Sequence, residues 1–340
     1  MRIAPTDRFL RPVGRHVEED GRLVFGWPGT GFDVRFEGDS IAIDLSGSVS
    51  WVDVSVDGAA PAAFDLDSNR RRVVLDGLAP GTHDMRLRKR TEAMVGDLVV
   101  SGLETDGRFL SAPAGGTPRL EFYGDSITCG YGCLDPVPEH GFSPATESFQ
   151  LSWAGRTASV LGAEVHAQAI SGIGVARNWP GVVGTPLPAR WMLAHPDRDV
   201  RWDLSSWIPD AVVVNLGTND YGVQPFLPEN AFVEAFEAWL EEIRTIRRGI
   251  PLVLVDGPLL ADDHPSPGTR TLVRGLLDRI AAGSGAVRFS LSPSDPLDGF
   301  AADFHPSVVQ HERNAREFAS FLAGLPGLGR GRYFPRTAFS

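Results

Sequence analysis

The chain has 340 residues, a formal net charge of −11, 42% hydrophobic and 22% charged residues. That length exceeds one ordinary domain and suits two, and the near-average composition lets each half bury a core. The acidic balance argues against DNA, RNA or an anionic membrane as partner, since such binding needs a clustered positive field.

The first 25 residues hold charges where a signal peptide carries its apolar segment, and no run approaches the ~20 apolar residues of a membrane span. The chain as written is therefore expected to be cytoplasmic, or secreted if a signal was trimmed. Residues 20–106 alternate apolar and polar side chains with a period of 2, as in Ile41, Ile43, Leu45 and Val52, Val54, Val56. Turn dipeptides Asp20-Gly21, Asp57-Gly58, Asp76-Gly77 and Pro80-Gly81 punctuate the runs. This predicts an all-β, jelly-roll-like sandwich over residues 1–112. The basic run Arg70 to Arg72 reads as a solvated strand edge.

The segment from Ser111 to Pro118, rich in small residues, Gly and Pro, reads as a linker. Beyond it, apolar strands at 120–123, 165–170, 211–216, 252–255 and 287–289 alternate with helical patterns at 230–248, 269–282 and 307–322. That order predicts a three-layer α/β domain over residues 118–325, with a mostly parallel sheet whose sites lie at the carboxyl ends of its strands. Residues 326–340 are expected to form a tail. The two cysteines, Cys129 and Cys133, lack the partners of a zinc site, and reduced thiols are the default expectation.

Three strand ends carry chemistry. The strand entering Gly124-Asp125-Ser126 delivers a serine to the sheet's carboxyl edge, where it becomes a nucleophile only if a base and oxyanion donors are found elsewhere. The strand ending in Gly217-Thr218-Asn219-Asp220 brings a side-chain amide to the same edge; one oxyanion donor is typically worth roughly 3–4 kcal/mol of barrier. Gly172, in Ser171-Gly172-Ile173-Gly174, lets a backbone N–H approach a ligand. Before the last helix, Asp303-Phe304-His305-Pro306 supplies an imidazole, with His264 in Asp263-His264-Pro265 as its rival. His166 and His311 read as packing or surface residues.

These blocks, in this order, resemble the four sequence blocks of the SGNH (GDSL) hydrolase superfamily over residues 118–323. The resemblance implies a flavodoxin-like sheet, Ser126 as nucleophile, His305 as base, and an oxyanion hole of the Ser126 N–H, the Gly172 N–H and Asn219. The β-rich first half, Lys89-Arg-Thr-Glu-Ala93, the run through Gly132 and Trp207-Ile-Pro-Asp210 resemble carbohydrate esterase family 2, the acetylxylan esterase-like enzymes. What that implies is removal of O-acetyl groups from acetylated oligo- or polysaccharides through an acyl-enzyme, without metal or organic cofactor.

The superfamily's aspartate position, three residues before the histidine, is Ala302; Asp303 stands two before it. Asp303 is thus the candidate acid of a triad, and a backbone carbonyl serving a Ser126–His305 dyad is the alternative. Trp207, Trp179 and Asp220 are candidate substrate contacts, with Trp51, Trp191 and Trp202 as further candidate sugar platforms. Two other functions stay open at this level: a short-chain lipase or thioesterase of the same superfamily, and a non-catalytic carbohydrate-binding protein.

Overall fold

The structure, a computed structural model, describes residues 1–45, 50–66, 72–263, 268–326 and 328. Arg70, Arg71, His264 and most of the expected C-terminal tail lie outside the described residues. The chain divides into two compact units, Met1–Gly115 with Leu193–Trp202, and Gly116–Met192 with Asp203–Ser340. Among the described residues no helix is long and apolar enough to cross a membrane.

The first unit is all-β. Two antiparallel sheets share one core, with Leu23, Phe25, Ile43 and Val100 from one and Phe32, Val34, Val54 and Leu87 from the other. The alternation read from the sequence is the alternation of these inward side chains. Asp20-Gly21 joins Val17–Glu19 to Arg22–Phe25 with both residues at positive φ, 49° and 72°, which matches the hairpin turn to the strand twist. A hairpin far along the chain, Leu193–His195 with Arg198–Arg201, belongs to this unit and was not expected from the sequence. It is tied there by His195 Nε2 to Asp97 (2.8 Å), Arg198 to Asp97 (2.9 Å) and the Trp27 Nε1–H donated to the Leu193 carbonyl (3.3 Å).

The second unit holds a five-stranded, all-parallel sheet. In space its strands run Glu164–Ala169, Arg119–Gly124, Ala211–Asn215, Leu252–Asp256, Val287–Ser290. The three middle strands are buried almost throughout, as expected where helices cover both faces. Successive residues of Arg119–Gly124 serve opposite faces. Phe122 packs edge-on against Trp153 (5.4 Å between centroids) and Tyr123 against Trp239 (5.5 Å).

Trp239 lies on helix Glu229–Ile246, whose Phe232, Val233, Phe236, Leu240 and Ile243 are also buried. The helix stops two residues short of the predicted end, and Gly249 (φ 75°) turns the chain after it. The other two predicted helices form as Thr269–Ser284 and Val308–Gly324, the latter capped by the Ser307 hydroxyl accepting from the Gln310 N–H. Helix Trp153–Leu161 was not predicted. Gly155 inside it weakens the pattern, but a Cβ there would collide with the Phe149 carbonyl, so close packing dictates the glycine.

Candidate active site

The strand Arg119–Gly124, second of the five in space, runs through Asp125 into a four-residue helix, Ser126–Cys129. Asp125 caps that helix by accepting the Ile127 N–H at 3.0 Å, and Gly130 closes it at φ 78°. Gly124 has no room for a Cβ, which would overlap the Thr128 side chain. The turn therefore holds Ser126 at the helix start, at the carboxyl end of the strand, with the residue only 7% exposed.

The Ser126 hydroxyl lies 2.9 Å from His305 Nε2. His305 sits on the loop before the last helix, after two successive residues in the left-handed region, Asp303 (φ 50°) and Phe304 (φ 58°). Side chains with a Cβ adopt that conformation at a cost of about 1–3 kcal/mol each, so surrounding bonds must hold it. The Ala301 N–H donates to the His305 carbonyl (2.8 Å), the His305 N–H to the Ala302 carbonyl (3.0 Å), and the Asp303 N–H to the His140 carbonyl (2.9 Å).

This backbone sets which part of Asp303 faces the imidazole. His305 Nδ1 donates to the Asp303 main-chain carbonyl at 3.2 Å, whereas the Asp303 carboxylate accepts the Tyr131 hydroxyl at 2.6 Å. The expectation of a triad acid is corrected: left-handed φ turns the carbonyl, not the carboxylate, toward the ring. A carbonyl can only accept, so Nδ1 carries the proton and Nε2 is left with a lone pair facing the serine. Burial pushes the His305 pKa down to about 4, against the upward pull of the Asp303 bond and charge. The imidazole is thus neutral, and able to take a proton, at physiological pH.

Asn219 opens the short helix Thr218–Tyr221 behind Gly217, whose φ of 118° suits glycine. Its amide donates to the Ile173 carbonyl at 2.8 Å and to the Asp125 carboxylate at 3.4 Å. It therefore spans the residue before Ser126 and the residue after Gly172. Gly172 has φ 75°, its carbonyl accepts the Trp179 N–H at 2.8 Å, and its own N–H donates to no group among the described residues. Trp179 is 43% exposed beside it.

Five other candidates are placed elsewhere. Asp220 is fully buried and accepts the N–H groups of Val175, Ala176 and Arg177 at 2.8–3.2 Å, so it fixes the loop after Gly172 and is not available to substrate. Trp207 is 7% exposed, stacked on His166 at 3.6 Å with its Nε1–H donated to Glu164 at 2.7 Å. Glu164 begins its strand, so Trp207 lies at the amino ends of the sheet, away from Ser126. Trp191 is core against Tyr123, and Trp202 and Trp51 belong to the first unit.

Sequence reasoning missed Tyr131, Phe304 and the charge state of Asp125. Tyr131 stacks on His305 with centroids 4.3 Å apart. Phe304 is 55% exposed immediately before His305. Burial, aided by the nearby Asp220 charge, raises the Asp125 pKa to about 7. The signal for Tyr131 was its place in the run just beyond the serine; nothing local marked the other two.

Residues 122–313 match the model of the GDSL-like lipase/acylhydrolase family. The chain belongs to that family. Residues 12–113 match a second model, carbohydrate esterase 2 N-terminal, so the chain carries that domain ahead of the GDSL-like one. It is 32% identical over 305 residues to the cellulase/esterase CelE of Acetivibrio thermocellus, covering 88% of this chain but only 37% of that protein. With an acetylxylan esterase / glucomannan deacetylase of Cellvibrio japonicus it shares 27% identity over 94% of this chain and 90% of the other. Among solved structures it resembles a family two carbohydrate esterase from Clostridium thermocellum in complex with cellohexaose, with a TM-score of 0.85, 29% identity and coverage of 92% and 98%. The family 2 enzyme plus carbohydrate binding domain of Corynascus thermopiles gives a TM-score of 0.85 at 26% identity, with coverage of 92% and 98%.

Proposed function

We propose that this chain is a carbohydrate O-acetyl esterase working through an acetyl-enzyme on Ser126. The observation that carries the reading is the 2.9 Å approach of the Ser126 hydroxyl to His305 Nε2, with Nδ1 already committed to a carbonyl. His305 takes the serine proton as Oγ attacks the acetyl carbonyl carbon. The resulting oxyanion is received by the N–H groups of Ser126 and Gly172 and by the Asn219 amide, which exchanges its 3.4 Å contact with Asp125 for the substrate. Collapse breaks the bond to the sugar oxygen, which leaves with the proton held on His305. Water, activated by the same imidazole, then releases acetate and restores the serine.

The pair acts as a dyad on this reading. The Asp303 carbonyl fixes the tautomer but carries no full charge to offset the imidazolium, which accords with a base held at about 4. The exposed rings of Trp179 and Phe304 offer aromatic faces for a pyranose ring. An acetylated oligo- or polysaccharide is the substrate class supported by the named relatives and by the cellohexaose that the Clostridium enzyme holds. The finer fold names belong to the same reading: jelly roll for the two antiparallel sheets, and flavodoxin-like for the parallel sheet whose second strand precedes its first in space.

The test is acetate release from acetylated xylan or glucomannan and from an aryl acetate, by wild type, Ser126→Ala and His305→Ala. Each variant is expected to lose about 10⁴-fold or more in kcat. Full activity in Ser126→Ala, or none in wild type on any ester, would overturn the reading.

A further inference from the structure

We propose that Tyr131 is a positioning residue for His305, holding through one phenol both the plane of the imidazole and the backbone carbonyl that fixes its tautomer. The inference rests on the reading of His305 as the base. It begins with where the tyrosine is anchored: the helix bearing Ser126 ends at Gly130, and the Tyr131 N–H donates to the Ser126 carbonyl at 3.1 Å. The ring is thereby tied to the same turn that carries the nucleophile.

From there Tyr131 makes two contacts that converge on the base. Its ring lies on His305 at 4.3 Å with 30° between planes, and Phe142 packs on the same tyrosine at 4.6 Å. Its hydroxyl donates to the Asp303 carboxylate at 2.6 Å. Asp303 is the left-handed residue whose carbonyl accepts from His305 Nδ1. The chain of dependence is short: hydroxyl to carboxylate, carboxylate to backbone conformation, backbone carbonyl to imidazole.

The two segments also abut. A Cβ on Gly132 would come within 2.7 Å of the Ala302 Cβ, so the residue after Tyr131 and the one before Asp303 meet with only the Ala302 methyl between them. On the far side, the His140 carbonyl holds the Asp303 N–H, and the Pro138 carbonyl holds the Phe304 N–H at 3.3 Å. His140 in turn pairs with Asp135 at 2.9 Å on that loop. With the hydroxyl removed, the Asp303 side chain loses one of the bonds that hold this backbone, and its carbonyl is held less firmly against Nδ1. The charged and titratable groups around His305 are Asp303, which pulls its pKa up, and His311, whose own pKa the His305 charge lowers; Tyr131→Phe keeps both residues and takes from Asp303 only the hydroxyl bond.

The experiment compares wild type, Tyr131→Phe, Asp303→Ala and the double variant, with Ser126→Ala as control. It measures kcat and KM on an aryl acetate and the downfield proton signal of His305 Nδ1–H by NMR. Tyr131→Phe is expected to lower kcat about tenfold to a hundredfold with KM within twofold, and to weaken or remove the Nδ1–H signal. The double variant is expected to lose no more than the worse single one, because both substitutions break the same chain. Unchanged kcat in Tyr131→Phe, an unchanged Nδ1–H signal, or additive losses in the double variant would overturn the proposal. The NMR signal needs no turnover, so it judges Tyr131 even if Ser126→Ala stays active and the esterase reading falls; thermal midpoints near wild type exclude misfolding as the cause.

Discussion

The parallel sheet carries a histidine stacked on an aromatic ring at each end. At the carboxyl ends His305 lies on Tyr131 at 4.3 Å and 30°. At the amino ends His166 lies on Trp207 at 3.6 Å and 7°, the closer and flatter of the two. The better stack is the structural one. Trp207 is buried with its N–H given to Glu164, and His166 is 3% exposed in the middle of its strand. His305 sits on a loop, with one nitrogen tied to a carbonyl and the other facing a hydroxyl. What separates the proposed base from a core histidine is thus what the two nitrogens meet, and at which end of the strands, rather than how well the ring is packed.

The comparison breaks outright if Ser126→Ala or His305→Ala keeps its activity. The next largest effect is expected from Asn219→Ala, which removes the proposed side-chain oxyanion donor. It should cost about 10²–10³ in kcat, or roughly 3–4 kcal/mol of barrier, with little change in KM. Steady-state kinetics on an aryl acetate decides it. A loss seen only in KM would mean that Asn219 serves ground-state binding.

Much of this architecture is written locally, and the exceptions have physical causes. The five strands of the parallel sheet announce themselves as apolar runs because both faces are covered, and the Asp-Gly pair at 20–21 announces a hairpin because its turn needs two positive φ values. The Asp303 geometry is silent in the sequence: neither Asp303 nor Phe304 is a glycine, so nothing local predicts two left-handed residues, and that conformation alone chooses carbonyl over carboxylate. Asp220 misled for a related reason. A carboxylate beside a candidate amide looks available until the loop that it anchors is folded over it. Trp207 misled although its place was legible: it stands four residues before the strand that begins at Ala211, hence at the amino end of the sheet and away from the edge that carries Ser126.

A smaller effect sharpens the contrast through pH. The His305 pKa of about 4 lies below its ordinary value, and in the proposed mechanism the neutral ring accepts the serine proton. The quantity kcat/KM should therefore fall about tenfold per unit below pH 4 and stay level from there to neutrality. The same shift makes the unfolded chain bind the extra proton first. His305 thus adds stability above its unfolded pKa of roughly 6.5 and loses it as pH falls toward 4. A pH–rate profile with its acid limb near 6.5 would place His305 in a wetter setting than this burial implies.

The smallest effect is the most telling about the amino-end pair. Trp207→Phe keeps an aromatic ring over His166 but deletes the N–H donated at 2.7 Å to Glu164, a residue only 8% exposed. A hydrogen bond to a charged group contributes about 1.5–3 kcal/mol, so denaturant unfolding should show a loss of that order. Activity should not follow. Arg119–Gly124 is one full strand of the sheet, roughly 16 Å at about 3.3 Å per residue, and Trp207 lies at its start, with the Arg119 guanidinium over the indole at 5.9 Å. The values of kcat and KM on acetylated xylan should stay within about twofold of wild type once the protein is folded, because the change is too far from the acetyl group to disturb a near-attack geometry. A tenfold rise in KM with unchanged stability would reverse the assignment, making the flatter stack a sugar platform and leaving the sheet with working surfaces at both ends.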